Sequence, residues 1–251
     1  MKLLEVTGLA KAYGGVEAVA GIDFALEAGE FLALIGPNGA GKTTCFNMLG
    51  GQIRPDRGTI LLAGGDVTGL APRRISRLGV ARTFQITQSF ASMSVRENVQ
   101  LALIAHHRRI FSFLPRAAGL YRDDAVALLK RVGMADQAER SCGILAYGDL
   151  KRVELAIALA QAPRLLLMDE PTAGMAAQER LLLMALVTRL ARAQGLSLVF
   201  TEHDMDVVFA HADRIIVLDR GRILAEGPPA AVRADRRVRE VYLGSGAMSA
   251  A

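Results

Sequence analysis

The chain has 251 residues, of which 51% are hydrophobic, and a formal net charge of +5. That length and apolar content bury a substantial core and exclude a disordered chain. Cys45 and Cys142 are the only cysteines, too few for a disulfide framework or a multi-cysteine metal centre, and the longest apolar run, residues 181–187, falls far short of the ~20 residues of a membrane helix.

Met1-Lys2-Leu3-Leu4-Glu5 has neither a long apolar core nor a cleavage pattern, so no signal peptide is expected. The positive surplus is spread over arginines and reads as a solvated face. Residues 3–9 and 24–26 read as short strands, with residues 11–20 a looped connection rich in Gly and Ala. Tyr13 lies in that connection, either stacked on a purine or packed on the surface. Residues 31–35 form an apolar run suited to a buried strand, and a helix starts near Thr43.

Between them, Gly36-Pro37-Asn38-Gly39-Ala40-Gly41-Lys42-Thr43-Thr44 matches G-x-x-x-x-G-K-[ST] at every fixed position. Its glycines let the loop fold back with N–H groups pointing inward, the helix N-terminus adds its positive dipole end, and Lys42 adds a cation. Such a loop holds a nucleotide phosphate, and Thr43 is positioned to put its hydroxyl on Mg²⁺.

Residues 54–58 read as a turn, 59–63 as a strand ending in Gly64-Gly65-Asp66, 73–77 as a short helix with three arginines, and 79–85 as a strand leading to Gln85. From there to about residue 161 the pattern is helical, an insertion in a strand-and-helix domain. Within it, residues 104–116 hold His106, His107, Arg108, Arg109 and Arg116 among Phe111, Phe113 and Leu114. Adjacent histidines point to different helix faces and form no metal pair, so this reads as an exposed loop or helix end near lipid headgroups. Residues 123–132 form an amphipathic helix stopped by Gly133, and residues 151–160 a buried one opening near Gly148.

Residues 165–168 form a buried strand ending in Asp169-Glu170. Two carboxylates at the carboxyl end of a buried strand are costly unless they meet a metal or solvent, and ligands bind at that end of a parallel sheet. A turn, a helix over 178–194 and a strand over 196–200 follow, the last ending in Thr201-Glu202-His203-Asp204. Residues 212–218 and 222–225 pair across a tight turn, and from Pro228 onward a short basic helix leads to a terminus expected to fray.

In this order Tyr13, the phosphate loop, Gln85, Leu145-Ala146-Tyr147-Gly148, Asp169-Glu170 and His203 resemble the ATP-binding subunit of ABC transporters over nearly the whole chain. The resemblance implies an α/β fold: a P-loop NTPase (RecA-like) core with a mainly parallel sheet, an N-terminal antiparallel β subdomain and an inserted helical subdomain. It implies one domain over 1–251, with core residues 1–85 and 161–251 and a helical signature subdomain over 86–160. By the same resemblance Tyr13 stacks on adenine, and Lys42 and the loop N–H groups hold the β and γ phosphates. Thr43 and Gln85 ligate Mg²⁺, with Asp169 holding it through water. Glu170 polarises the attacking water and His203 contacts the γ-phosphate. Ala146, Tyr147 and Gly148 close over the ATP of a second subunit.

Arg82-Thr83-Phe84-Gln85, Leu145-Ala146-Tyr147-Gly148, Glu202-His203-Asp204-Met205 and Tyr242-Leu243-Gly244 look most like the subfamily importing branched-chain and other hydrophobic amino acids. The implied partners are a second, non-identical ATP-binding subunit, two membrane permease subunits and, indirectly, an extracytoplasmic substrate-binding protein, on the cytoplasmic face of the membrane and without nucleic acid. A soluble ABC-type ATPase acting on nucleic acid or the ribosome, and a lipid-export ATPase, are the alternatives. Three departures stand out: Ala146 replaces the usual signature serine, Asp149 a common glutamine, and Ala176 the Asp or Asn usual after the Glu170 strand.

Overall fold

The computed structural model describes residues 1–83, 89–107 and 119–243. The chain opens with a hairpin of β1 (Lys2–Tyr13) and β2 (Val16–Glu27), joined at Gly14-Gly15. Both glycines have positive φ, 53° and 87°, the backbone that a two-residue hairpin turn needs to match strand twist. The looped connection expected over 11–20 is therefore strand on both sides of a two-residue turn. Small Ala and Gly residues weaken a local strand signal, and tertiary pairing overrides it: Ala10 pairs with Ala20 and, on its other edge, with Arg57.

β3 (Phe31–Ile35) leads into α1 (Lys42–Leu49), and β4 (Arg57–Leu62) and β5 (Gly65–Asp66) return to the hairpin, giving an antiparallel sheet of order β2-β1-β4-β5. After α2 (Pro72–Arg77) and β6 (Val80–Thr83), the described residues up to the next strand hold α3 (Val95–His106), α4 (Arg122–Arg131) and α5 (Tyr147–Leu159). Ser94 opens α3 with a reciprocal capping box to Glu97. α5 begins at Tyr147, a turn earlier than the expected 151, because Ala146 takes an extended N-cap conformation and the signature stretch runs straight into the helix.

β7 (Leu165–Asp169), α6 (Ala177–Ala193), β8 (Ser197–Thr201), α7 (Met205–His211), β9 (Arg214–Asp219) and β10 (Arg222–Gly227) complete a second sheet of order β10-β9-β3-β8-β7-β6. It is parallel except for the edge strand β10. The single basic helix expected after Pro228 is two, α8 (Pro229–Ala234) and α9 (Arg236–Leu243), whose Val232, Val238 and Tyr242 are buried. The terminus expected to fray lies outside the described residues beyond 243.

The central strands β3, β7 and β8 of the second sheet are buried along their whole length, which is why they are mostly apolar. Alternate residues serve opposite cores. Phe31, Ala33 and Ile35 of β3 join Leu166, Met168, Leu198 and Phe200 against the helices. Leu32 and Leu34 join Leu165, Leu167 and Val199 against the hairpin and α1. Both cores press on the carboxyl ends of β3 and β7, so the loops leaving these strands are held at fixed positions.

Candidate functional site

The loop between β3 and α1 is shaped by close backbone approach. Gly41 is the N-cap of α1 at φ 104°, and a Cβ there would lie 2.2 Å from the Ala18 carbonyl oxygen of β2. No side chain caps α1 and its first turn carries no acid, so its first N–H groups face the loop with the positive end of the helix dipole. Lys42 is 6% exposed and donates to the carbonyls of Gly36 at 2.6 Å and Pro37 at 3.1 Å. Burial lowers its pKa, and the charges of Glu170 and Asp169 work against that shift.

Tyr13, Ala18, Asn38, Gly39, Ala40, Gly41, Lys42, Thr43, Thr44 and Glu170 line one cleft. Tyr13 ends β1 at the rim with its ring half exposed, and the Lys11 Nζ lies 5.7 Å from the ring centroid. Ala18 was not singled out from the sequence; only the folded hairpin brings it beside Gly41.

At the end of β7, Asp169 is 5% exposed and both its oxygens are engaged: Oδ1 accepts from the Thr201 hydroxyl at 2.7 Å and Oδ2 from Arg82 Nη2 at 3.1 Å. Glu170 follows in the left-handed region at φ 49°, its N–H donating to Thr201 Oγ1 at 2.9 Å. A non-glycine residue held there stores about 1–3 kcal/mol and stays only where surrounding structure demands it. His203 Nε2 lies 2.8 Å from Glu170 Oε1.

Beneath this pair Glu202, 4% exposed, accepts from the Thr172 N–H at 2.9 Å and the Thr172 hydroxyl at 2.7 Å, tying the loop after β7 to the loop after β8. Burial pushes the Glu202 pKa up, and the hydrogen bonds from Thr172 and the His203 N–H oppose it. The strand-end cluster 201–204 was legible as polar; its division into a carboxylate brace and an exposed histidine was not.

Arg82 and Tyr242 are the other residues that sequence reasoning left without a role. A charged residue inside the buried pattern of β6 was the signal for Arg82. Tyr242 was marked only as part of the closing Tyr242-Leu243-Gly244 stretch; its buried phenol has its pKa raised by burial, against the opposing effect of a backbone hydrogen bond with Gly36 of the phosphate loop. Gln85 lies outside the described residues, as do most of residues 104–116 and Gly244.

Ala146, Tyr147 and Gly148 sit apart from this cleft. Ala146 and Gly148 line a second one with Asp149, Arg152, Met175, Glu179, Leu182 and Leu183. Ala146 offers α5 no capping oxygen, so the N–H groups of that helix mouth also face outward. Among the described residues no three His, Cys, Asp or Glu side chains converge as a metal cluster, and no helix is long and apolar enough to cross a membrane.

Comparison with known proteins gives the family. Residues 19–173 match the family described as ABC transporter, and residues 222–247 match the one described as Branched-chain amino acid ATP-binding cassette transporter. The chain is 38% identical to the high-affinity branched-chain amino acid transport ATP-binding protein BraF of Pseudomonas aeruginosa, over 96% of this chain and 98% of the relative. It is 39% identical to LivG of Escherichia coli K12, which carries the same description, with the same coverage. Among solved structures, the ADP conformation of MJ1267, an ATP-binding cassette of an ABC transporter, superposes with a TM-score of 0.87 at 29% identity, covering 97% of this chain and 99% of that one.

Proposed function

The chain belongs to the ABC transporter ATP-binding family, and on that premise we propose that it is the ATP-hydrolysing subunit of a membrane importer of branched-chain amino acids. The observation that carries the reading is the pairing of Glu170 with His203 at 2.8 Å on the rim of the cleft that the phosphate loop lines. The match of residues 222–247 and the descriptions of BraF and LivG support the amino-acid cargo over lipid export or nucleic-acid work.

In this reading the uncapped N–H groups of α1, the loop from Gly36 to Gly41 and Lys42 take the β and γ phosphates of ATP, and Tyr13 stacks on adenine. Lys42 exchanges its two carbonyl acceptors for phosphate oxygens, which suits a buried ammonium better. The residues present fit Mg²⁺: one buried carboxylate, Asp169, and the Thr43 hydroxyl on the cleft wall match a cation that takes few protein ligands and completes its shell with phosphates and water. Gln85 is assigned to the same ion. When bound, Mg²⁺ neutralises charge on the phosphate oxygens. Glu170 orients and polarises the attacking water, and His203 holds the Glu170 carboxylate and contacts the γ-phosphate. Catalysis is positioning and charge stabilisation rather than covalent chemistry.

Ala146, Tyr147 and Gly148 close over the nucleotide of a second, non-identical ATP-binding subunit, and two permease subunits carry the motion across the membrane. An extracytoplasmic binding protein delivers the cargo, and this chain works at the cytoplasmic face. Two substitutions test the chemistry. Glu170→Gln keeps ATP binding and lowers turnover by roughly 10²-fold or more, the scale of a lost general base, whereas Lys42→Ala loses binding. Hydrolysis by Glu170→Gln at the wild-type rate overturns the assignment.

A further inference from the structure

Arg82 is 11% exposed at its side chain and, among the described residues, ties three segments together. Nη1 donates to Asn47 Oδ1 and Gln52 Oε1, each at 2.9 Å, and to the Phe46 carbonyl at 3.4 Å, while Nη2 reaches Asp169 Oδ2. The guanidinium carbon lies 5.9 Å from the Phe46 ring centroid. The fork is therefore anchored on α1 and on the segment just after it, and aimed at the end of β7.

Asp169 has two oxygens, and Thr201 occupies the other. A divalent cation approaching this carboxylate thus meets a guanidinium in hydrogen-bond contact with it. Like charges a few ångströms apart in a partly buried site repel, and the neighbouring Lys42 ammonium adds to the field. A nucleotide triphosphate brings enough negative charge to reverse that sum. We propose that Arg82 is a positioning residue that holds Asp169 and closes the metal site to free divalent cations, so that metal is taken only together with nucleotide. By linkage, nucleotide affinity then depends on metal by the same factor. The inference rests on Asp169 being the metal carboxylate, as proposed above.

The test uses the full chain and Mn²⁺ as the probe, followed by its paramagnetic resonance signal with and without ADP. Arg82→Gln is expected to bind Mn²⁺ without nucleotide about tenfold more tightly than wild type, as removal of one nearby charge in a screened site implies, and to lose the same factor in metal–nucleotide coupling. Arg82→Lys, which keeps the charge but loses the fork, is expected to tighten nucleotide-free Mn²⁺ binding by less than Arg82→Gln does. Gln52→Ala removes only an exposed partner of the guanidinium and leaves the core intact, so it reads the tether should Arg82→Gln not fold; a tightening of about twofold is expected. Unchanged nucleotide-free Mn²⁺ affinity in folded Arg82→Gln, or in Gln52→Ala where the former does not fold, overturns the proposal. Asp169→Asn separates the two readings: if nucleotide binding keeps its full metal dependence there, it is the assignment of Asp169 that fails.

Discussion

Glu170 is reached by β7 with a left-handed backbone, and what keeps it there is Thr201, which bonds the Glu170 N–H and the Asp169 carboxylate through one hydroxyl. Glu202 performs the matching task on the other side of the cluster by clamping Thr172. A buried acid with a raised pKa is favoured in its protonated form by the fold. Its contribution to stability is fully present below the ordinary value of 4.5 and is lost as pH rises through the raised value. The melting temperature of wild type relative to Glu202→Gln should therefore fall as pH rises above 4.5. A difference that stays flat across that series rules out Glu202 as a titrating brace. At this scale the sequence exposed residue types but not partners. Asp169, Glu170 and His203 were legible from their places at strand ends, whereas the pairing of Asp169 with Arg82 joins positions 87 residues apart that only the β6–β7 register brings side by side.

Helix α6 is preceded by Ala176, an N-cap with extended backbone but no side-chain oxygen for the first free N–H groups. The same residue is the departure noted in the sequence after the Glu170 strand. Replacing it with serine should supply the missing acceptor and raise stability by about 1 kcal/mol, read as an upward shift of roughly 2–4 °C in melting temperature. An unchanged or lower value would show that the N–H groups are already satisfied. Strands β3, β7, β8 and β9 were legible as elements because burial on both faces demands continuous apolar runs. The outer arms of β1 and β2 were legible over 3–9 and 24–26, but the rest of the hairpin was not, since Gly and Ala residues carry little strand preference until β4 pairs with β1. Nor was the second C-terminal helix, whose Val238 and Tyr242 are held by the core rather than by local propensity.

Across the molecule, the phosphate loop and the signature helix line separate clefts, which supports the proposal that the nucleotide lies between two subunits. Ala146 brings no hydroxyl to that contact, and the site closed by this chain's own signature is accordingly proposed to be the weaker of the pair. In the assembled complex, Glu170→Gln in this chain should lower turnover more than the equivalent substitution in its partner, measured as ATP hydrolysis with one substitution at a time. Equal losses would remove the asymmetry. The amino-acid sequence alone determined the phosphate loop, the order of the motifs, the covered sheet and the family, because each rests on residue types at short spacing or on apolar periodicity. Tertiary structure alone decided what those residues touch: Ala18 against Gly41, Arg82 against Asp169, Glu202 against Thr172 and Tyr242 beneath Gly36. Each of these contacts joins distant segments whose approach is set by strand register and by the packing of two cores, and neither quantity is written in any local stretch of the chain.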